Sequence, residues 1–133
     1  MKRASALIGV NRHRTGFLEA RPLPGSGRRG EVLAAFLQSD VQGDLAAARA
    51  LLAETAAAER GEEPQPGGAG NAFWIGIAAD GAVIANALLP GAPPERYRLG
   101  ELRAALADWI AAIERAHTGR DRTQARQAPR HRR

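Results

Sequence analysis

The 133-residue chain contains no cysteine, six aromatic residues and no long apolar run. The lack of cysteine excludes a disulfide framework, a thiol nucleophile and a zinc–thiolate site. With so few aromatics and much of its apolar content as alanine, the chain predicts a small, helix-rich core. No apolar stretch approaches the roughly 20 residues that span a bilayer, and the short run at 6–10 is too brief for a signal peptide. We therefore expect a soluble, cytoplasmic protein that does not insert into membranes.

Positive charge is concentrated at the two ends of the chain. Residues 1–30 carry seven Lys/Arg and one acid, residues 31–116 carry six Arg and twelve acids, and residues 117–133 carry six Arg and one acid. The net charge of +5 therefore describes two basic ends around an acidic middle. An acidic folded part would repel nucleic acid and attract basic surfaces.

Hydrophobic periodicity predicts one α+β domain over residues 1–116, with a basic disordered tail over 117–133. Its most clearly indicated element is a β-hairpin over 73–89 around Asp80-Gly81, in a small antiparallel sheet packed against helical regions at about 31–60 and 100–116. Short strands are also expected at 6–10 and 17–20, an irregular segment at 22–30 and a flexible linker at 62–70.

The hairpin presents two apolar faces. With Asp80-Gly81 as the turn, Ile77 pairs with Ile84 and Phe73 with Leu88, which places all four on a core face. The opposite face carries Trp74 among alanine, glycine and valine. We expect a helix to cover this second face, with a partner protein as the alternative cover.

The residue types that support catalysis or metal binding do not form a recognisable pattern. His13, His117 and His131 lack ligand spacing, and no serine lies in a nucleophile-elbow sequence. Glycines 67, 68 and 70 precede a strand instead of opening a helix, so they do not indicate a phosphate-binding loop. We expect no catalytic residue, no metal and no cofactor.

Acidic residues concentrate along and after the first helical region. They form either a solvated face or a docking surface for a basic partner. Complementary charge would accelerate association with such a partner. Trp74 is a further candidate contact, because tryptophan often anchors protein interfaces. The predicted contact residues are Asp40, Asp44, Glu59, Glu62 and Trp74. A rival interpretation is nucleic-acid binding by the Arg-rich termini, through phosphate contacts that weaken with salt.

From about residue 30 to 114 the chain resembles small immunity proteins of bacterial toxin–immunity systems, including contact-dependent growth inhibition. The similarity lies in the helix leading to residues 36–41, the Gly/Asn start of the hairpin at 70–77, the turn at 80–81 and the final helix with Leu102, Leu106 and Trp109. Gly100 departs from the usual Ser or Thr cap, and the basic tail is also a departure. The resemblance implies a non-catalytic protein without cofactor that binds and blocks one toxin domain, commonly a nuclease. Toxin contacts vary within such families, so none is transferred by residue.

Overall fold

The computed structural model describes residues 6–127, with the side chains of residues 6–117. Over these residues the fold is α+β, as predicted, with three α-helices and two antiparallel sheets of two and four strands. The elements in chain order are β1 (Ile8–Arg12), β2 (Leu18–Pro22), α1 (Gly27–Phe36), a π-helical turn (Leu37–Val41), α2 (Leu45–Glu59), β3 (Gly68–Ala69), β4 (Phe73–Ala78), β5 (Gly81–Asn86), β6 (Glu95–Tyr97) and α3 (Leu99–Gln127).

The first sheet is the hairpin of β1 and β2, which confirms the two short strands expected near the N-terminus. Arg12 pairs with Leu18 and Ile8 with Pro22. Gly16, with φ of 91°, takes the left-handed conformation in the connecting turn, where its amide donates to the carbonyl of His13 at 2.8 Å. Ile8 is buried in the core, so the hairpin is anchored at its open end and projects its turn outward.

The second sheet has the order β3-β4-β5-β6, and its central hairpin is shifted from the predicted register. Ile77 pairs with Ala82 and Phe73 with Asn86, so the loop is Ala79-Asp80. Gly81 belongs to β5 because it adopts a φ of 136° and passes so near the Tyr97 carbonyl that a Cβ would lie 2.9 Å from that oxygen. Because the register is shifted by two residues and side chains alternate between faces, each side chain stays on its predicted face. Leu88, however, lies beyond β5 and is 68% exposed, so its placement in the core was wrong.

The closing helix supplies the largest part of the core. Its predicted apolar stripe is confirmed, since Leu102, Leu106, Trp109 and Ile113 are all 1% exposed or less. The stripe packs against α2 and the first hairpin. The Trp109 indole N–H donates to the carbonyl of Gln42 at 2.7 Å, which satisfies the one polar group that this large side chain buries.

The start of the first helix and the end of the last helix differ from the sequence prediction. α1 begins at Gly27, inside the segment predicted to be irregular. Gly30, in its first turn, has no Cβ, and this lets the helix pack closely against the Leu7 carbonyl. α3 continues to Gln127, into the segment predicted to be a disordered tail. No proline interrupts this stretch, and Arg, Gln and Ala are good helix formers. The remainder of the predicted tail, 128–133, lies outside the described residues.

The π-helical turn joins both sheets. The side-chain amide of Gln38 donates to the Leu18 carbonyl and accepts from the Ala20 amide, both at 2.7 Å, so it pairs with β2 as another strand would. Asp40, two residues further on, accepts hydrogen bonds from the amides at the start of β4. Because residues two apart on a helix point in nearly opposite directions, these side chains reach opposite sides of the domain.

A second connection joins α1, β6 and α3 through Arg29. Its guanidinium pairs with the carboxylate of Glu101, donates to the Arg96 carbonyl at 3.0 Å, and lies 5.2 Å from the centre of the Tyr97 ring. Partial burial raises the pKa of Glu101, but hydrogen bonds from Arg29 and from the Arg98 amide outweigh it, so the net pKa is lower than usual.

We expect this ion pair to make the fold sensitive to acid. Because the pKa of Glu101 is lower in the folded chain than in the unfolded chain, its contribution is complete above about pH 4.5 and is lost as pH falls through the folded value. Urea unfolding at pH 7 and pH 3 should show a smaller acid-induced loss of stability for Glu101→Gln than for the parent. Glu31→Gln, on the exposed side of α1, is the matched control and should behave like the parent. An equal acid-induced loss in Glu101→Gln would contradict the assignment.

Candidate docking surface

The outer face of the second sheet is not covered by any of the described helices. Inner-face residues Phe73, Ile77 and Ile84 are 5% exposed or less and belong to the main core, against which the helices pack. On the outer face Trp74 is 40% exposed. The helix predicted to cover this face was therefore wrong over residues 6–127. Apart from Trp74, the larger apolar side chains of the sheet point inward, so the helices gain more buried area there.

The Trp74 indole lies flat on the outer face across two glycines. A Cβ placed at Gly67 or Gly76 would overlap the ring, so only glycine leaves room for this orientation. Gly68 and Ala69 pair with Ile75 and Trp74 as the short edge strand β3. Part of the segment predicted as a flexible linker is thus a strand that supports the indole.

Two depressions adjoin each other around the segment that precedes β3. The first, about 450 Å³, lies on the outer face beside Trp74, and the second, about 290 Å³, lies between that segment and α2. Pro64, Gln65 and Ile77 line both. We call the two together the Trp74 surface. Its charged lining residues are Glu54, Glu62, Glu63, Asp80 and Arg96.

The composition of the Trp74 surface suits contact with a basic protein. Four carboxylates and one guanidinium give it a net negative charge. Most other lining residues are alanine, glycine and proline, so the surface is shallow, and Trp74 is the one lining residue among the exposed large hydrophobic side chains. Glu54, Glu63 and Asp80 have no side-chain partner among the described residues, which leaves these carboxylates available to a cationic partner.

The structure uses Asp40 and Asp44 within the fold. Asp40 accepts from the amides of Ala72 and Phe73, both at 3.0 Å, and so holds the start of β4. Asp44 caps α2 by accepting from the Ala47 amide at 3.0 Å. Neither residue lines the Trp74 surface.

The other predicted contact residues lie closer to that surface. Glu62 lines the depression beside α2, and Trp74 lines the one on the sheet. A hydrogen bond from Arg60 lowers the pKa of Glu62 and keeps it ionised. Glu59 pairs with Arg103 of α3 at 3.1 Å and lies outside both depressions. Asp44 and Glu59 bracket α2, about 22 Å apart, so the five predicted residues do not form one cluster.

No protein-family model, curated protein or solved structure matches this chain. The functional assignment therefore depends on the residues and contacts of the surface itself. Over residues 6–127, no helix is both long and apolar enough to cross a membrane. Among residues 6–117, whose side chains are described, no three His, Cys, Asp or Glu side chains are grouped as metal ligands.

The contact residues chosen from the sequence left out the most available acids of the surface, although Glu54 and Glu63 belong to the acidic concentration along and after the first helical region. Glu54 follows Ala50 by four residues and precedes Ala57 by three, so helical spacing alone places all three on one face. Asp80 and Arg96 gave no such signal. They reach the same depression only because β4, β5 and β6 are adjacent in the sheet, and that order is not visible in the sequence.

Proposed function

We propose that this chain is a non-catalytic immunity protein, which binds one bacterial toxin domain in the cytoplasm and blocks its activity. The observation that carries the proposal is the Trp74 surface: an exposed tryptophan on an uncovered sheet face, beside a groove lined by carboxylates. Trp74 offers a large apolar contact, and the acids around it offer charge to a basic partner.

Two physical effects support a basic toxin domain as the partner. A tryptophan buried at the centre of an interface commonly supplies a large share of the binding energy. Carboxylates around it attract a positively charged partner over a distance and repel acidic competitors, which raises the association rate and the specificity. Nucleases carry positive charge where they bind their substrate, so an acidic surface docked there would exclude nucleic acid.

The proposal predicts a toxin gene beside the gene for this chain. The neighbouring gene should encode a large secreted protein, and its C-terminal domain expressed alone should stop growth. Co-expression of the full 133-residue chain should restore growth, and the two proteins should elute together from a size-exclusion column. A neighbouring toxin domain that remains lethal with this chain present, or a locus with no such gene, would contradict the proposal.

A further inference from the structure

The first hairpin lies beside α3 at one side of the fold. A guanidinium nitrogen of Arg12, in β1, donates to the carbonyl of Arg115, in α3, at 3.0 Å. This contact joins residues 103 positions apart. The basic N-terminal segment therefore lies against the part of α3 that comes just before residues 117–133.

A cleft of about 510 Å³ opens between this hairpin and α3. Its lining residues include Phe17, Leu18, Gln38, Gln42, Trp109 and His117. We call it the basic cleft. Its volume lies in the usual range for sites that bind small molecules or single residues of a polymer. None of its lining residues lines the Trp74 surface, so the two sites are separate.

The walls of the basic cleft are fixed by hydrogen bonds within the fold. Both polar atoms of the Gln38 amide are engaged by β2, and the carbonyl of Gln42 accepts the indole N–H of Trp109. Gln42 holds a φ of 54°, a conformation that a non-glycine residue adopts only where its surroundings enforce it. The cleft therefore exists before any ligand arrives, which lowers the entropy cost of binding.

An aromatic pair stands at the mouth of the cleft. The Phe17 ring is 56% exposed, and its centre lies 5.5 Å from that of His13. Single exposed apolar side chains are ordinary on protein surfaces. Phe17 differs in that it lines a preformed cleft and follows a turn that also carries Arg14.

The hairpin beside this mouth carries more positive than negative charge. Arg12, Arg14 and Arg21 lie on it and are exposed. Its one carboxylate, Glu19, is bound by His13 at 3.0 Å and by Arg21 at 3.3 Å. The hairpin thus carries three guanidinium groups against one carboxylate that already has cationic partners.

We propose that the basic cleft binds single-stranded nucleic acid, with a base stacked on Phe17 and the adjacent phosphate on Arg14. Cations that follow a backbone beside an exposed aromatic ring are the shared feature of proteins that bind single strands without sequence preference. A duplex keeps its bases stacked inside and cannot offer one to Phe17. The proposal does not depend on the proposed immunity function.

The test uses the full chain and fluorescein-labelled 12-mers of uridine and of thymidine, with a 12-base-pair duplex for comparison. Fluorescence anisotropy at 50 mM salt should show binding of both single strands, and weaker binding of the duplex. Phe17→Ala should weaken single-strand binding roughly tenfold, because it removes one base–ring stack. Arg14→Gln should reduce the slope of log affinity against log salt by about 0.7, the value for one phosphate contact on a single strand.

Trp74→Ala is the matched control, since it removes an exposed aromatic ring from the other surface and should leave nucleic-acid affinity unchanged. Absence of binding at 50 mM salt would overturn the proposal, as would a duplex bound as tightly as single strands. Binding that neither Phe17→Ala nor Arg14→Gln alters would place the contact on the terminal arginines, and the proposal would be wrong. If Phe17→Ala instead weakens toxin binding and spares nucleic-acid binding, the cleft is a protein interface.

Discussion

Replacing Asp40 by alanine should lower the free energy of unfolding by about 3 kcal/mol, since hydrogen bonds to a charged group contribute roughly 1.5–3 kcal/mol each. The carboxylate accepts from two backbone amides at the start of β4 and from the hydroxyl of Ser39. Alanine removes these acceptors and leaves the half-buried amide of Ala72 unpaired. Urea unfolding followed by circular dichroism measures the loss.

Three matched variants separate this role from a general effect of lost charge. Asp40→Asn keeps one acceptor oxygen, so its free energy of unfolding should fall less than that of Asp40→Ala. Asp44→Ala removes a helix cap and should cost about 1 kcal/mol. Asp80→Asn, on an exposed residue without a side-chain partner among those described, should change stability by less than about 0.5 kcal/mol. If Asp40→Ala were as stable as Asp80→Asn, Asp40 would be a surface residue after all, as the docking interpretation assumed.

The case of Asp40 shows where sequence reasoning succeeds and where it stops. Asp44 could be assigned as a cap from its sequence because its partner is three residues away. The partners of Asp40 are 32 and 33 residues away. Both acids look alike in the sequence, but only the local contact can be inferred from spacing. A contact made across the fold requires knowledge of which strand passes the π-helical turn.

The same distinction holds for the larger elements. The buried stripe of α3 follows from its 3.6-residue periodicity, and the hairpin 73–89 from its apolar runs around a turn. Register was less accessible, because Asp80-Gly81 has a good turn sequence yet Gly81 is held in the ladder by its close approach to Tyr97. Which face of the sheet the helices cover was also undetermined. Both faces are apolar, and the choice depends on side-chain size and on the whole set of packed elements.

Charge that is separated along the sequence is partly paired in the fold. Arg28, from the basic N-terminal segment, binds Glu95 at 2.6 Å, and Arg29 binds Glu101. These contacts neutralise part of both the positive excess of residues 1–30 and the negative excess of residues 31–116. The acids that stay available are those of the Trp74 surface, and the available arginines include those at the basic cleft. Among the described residues, the acids of the candidate docking surface that lack a side-chain partner are therefore fewer than the sequence suggested: Glu54, Glu63 and Asp80.

Loss of the Trp74 side chain should produce the largest effect on toxin binding. We expect Trp74→Ala to weaken affinity for the toxin domain by thirtyfold or more, equivalent to about 2 kcal/mol, as for a central interface tryptophan. Its effect on folding should be smaller, about 1 kcal/mol, because the indole is 40% exposed and covers mainly glycine. Calorimetric titration of the purified domain measures the first quantity, and urea unfolding the second.

Two glycine variants test whether the orientation of the indole matters as well as its presence. Gly67→Ala places a Cβ in the space of the Trp74 ring and should displace the indole. Its affinity for the toxin domain should therefore lie between that of the parent and that of Trp74→Ala. Gly68→Ala, one residue further along, meets nothing within 4 Å and should bind as the parent does. Phe17→Ala should also retain toxin affinity, since Phe17 lies at the basic cleft. If Trp74→Ala still bound tightly while co-expression restored growth, the immunity function would stand but its interface would lie elsewhere. If co-expression failed as well, the exposed tryptophan would require a different partner, and the acids beside it would still favour a basic one.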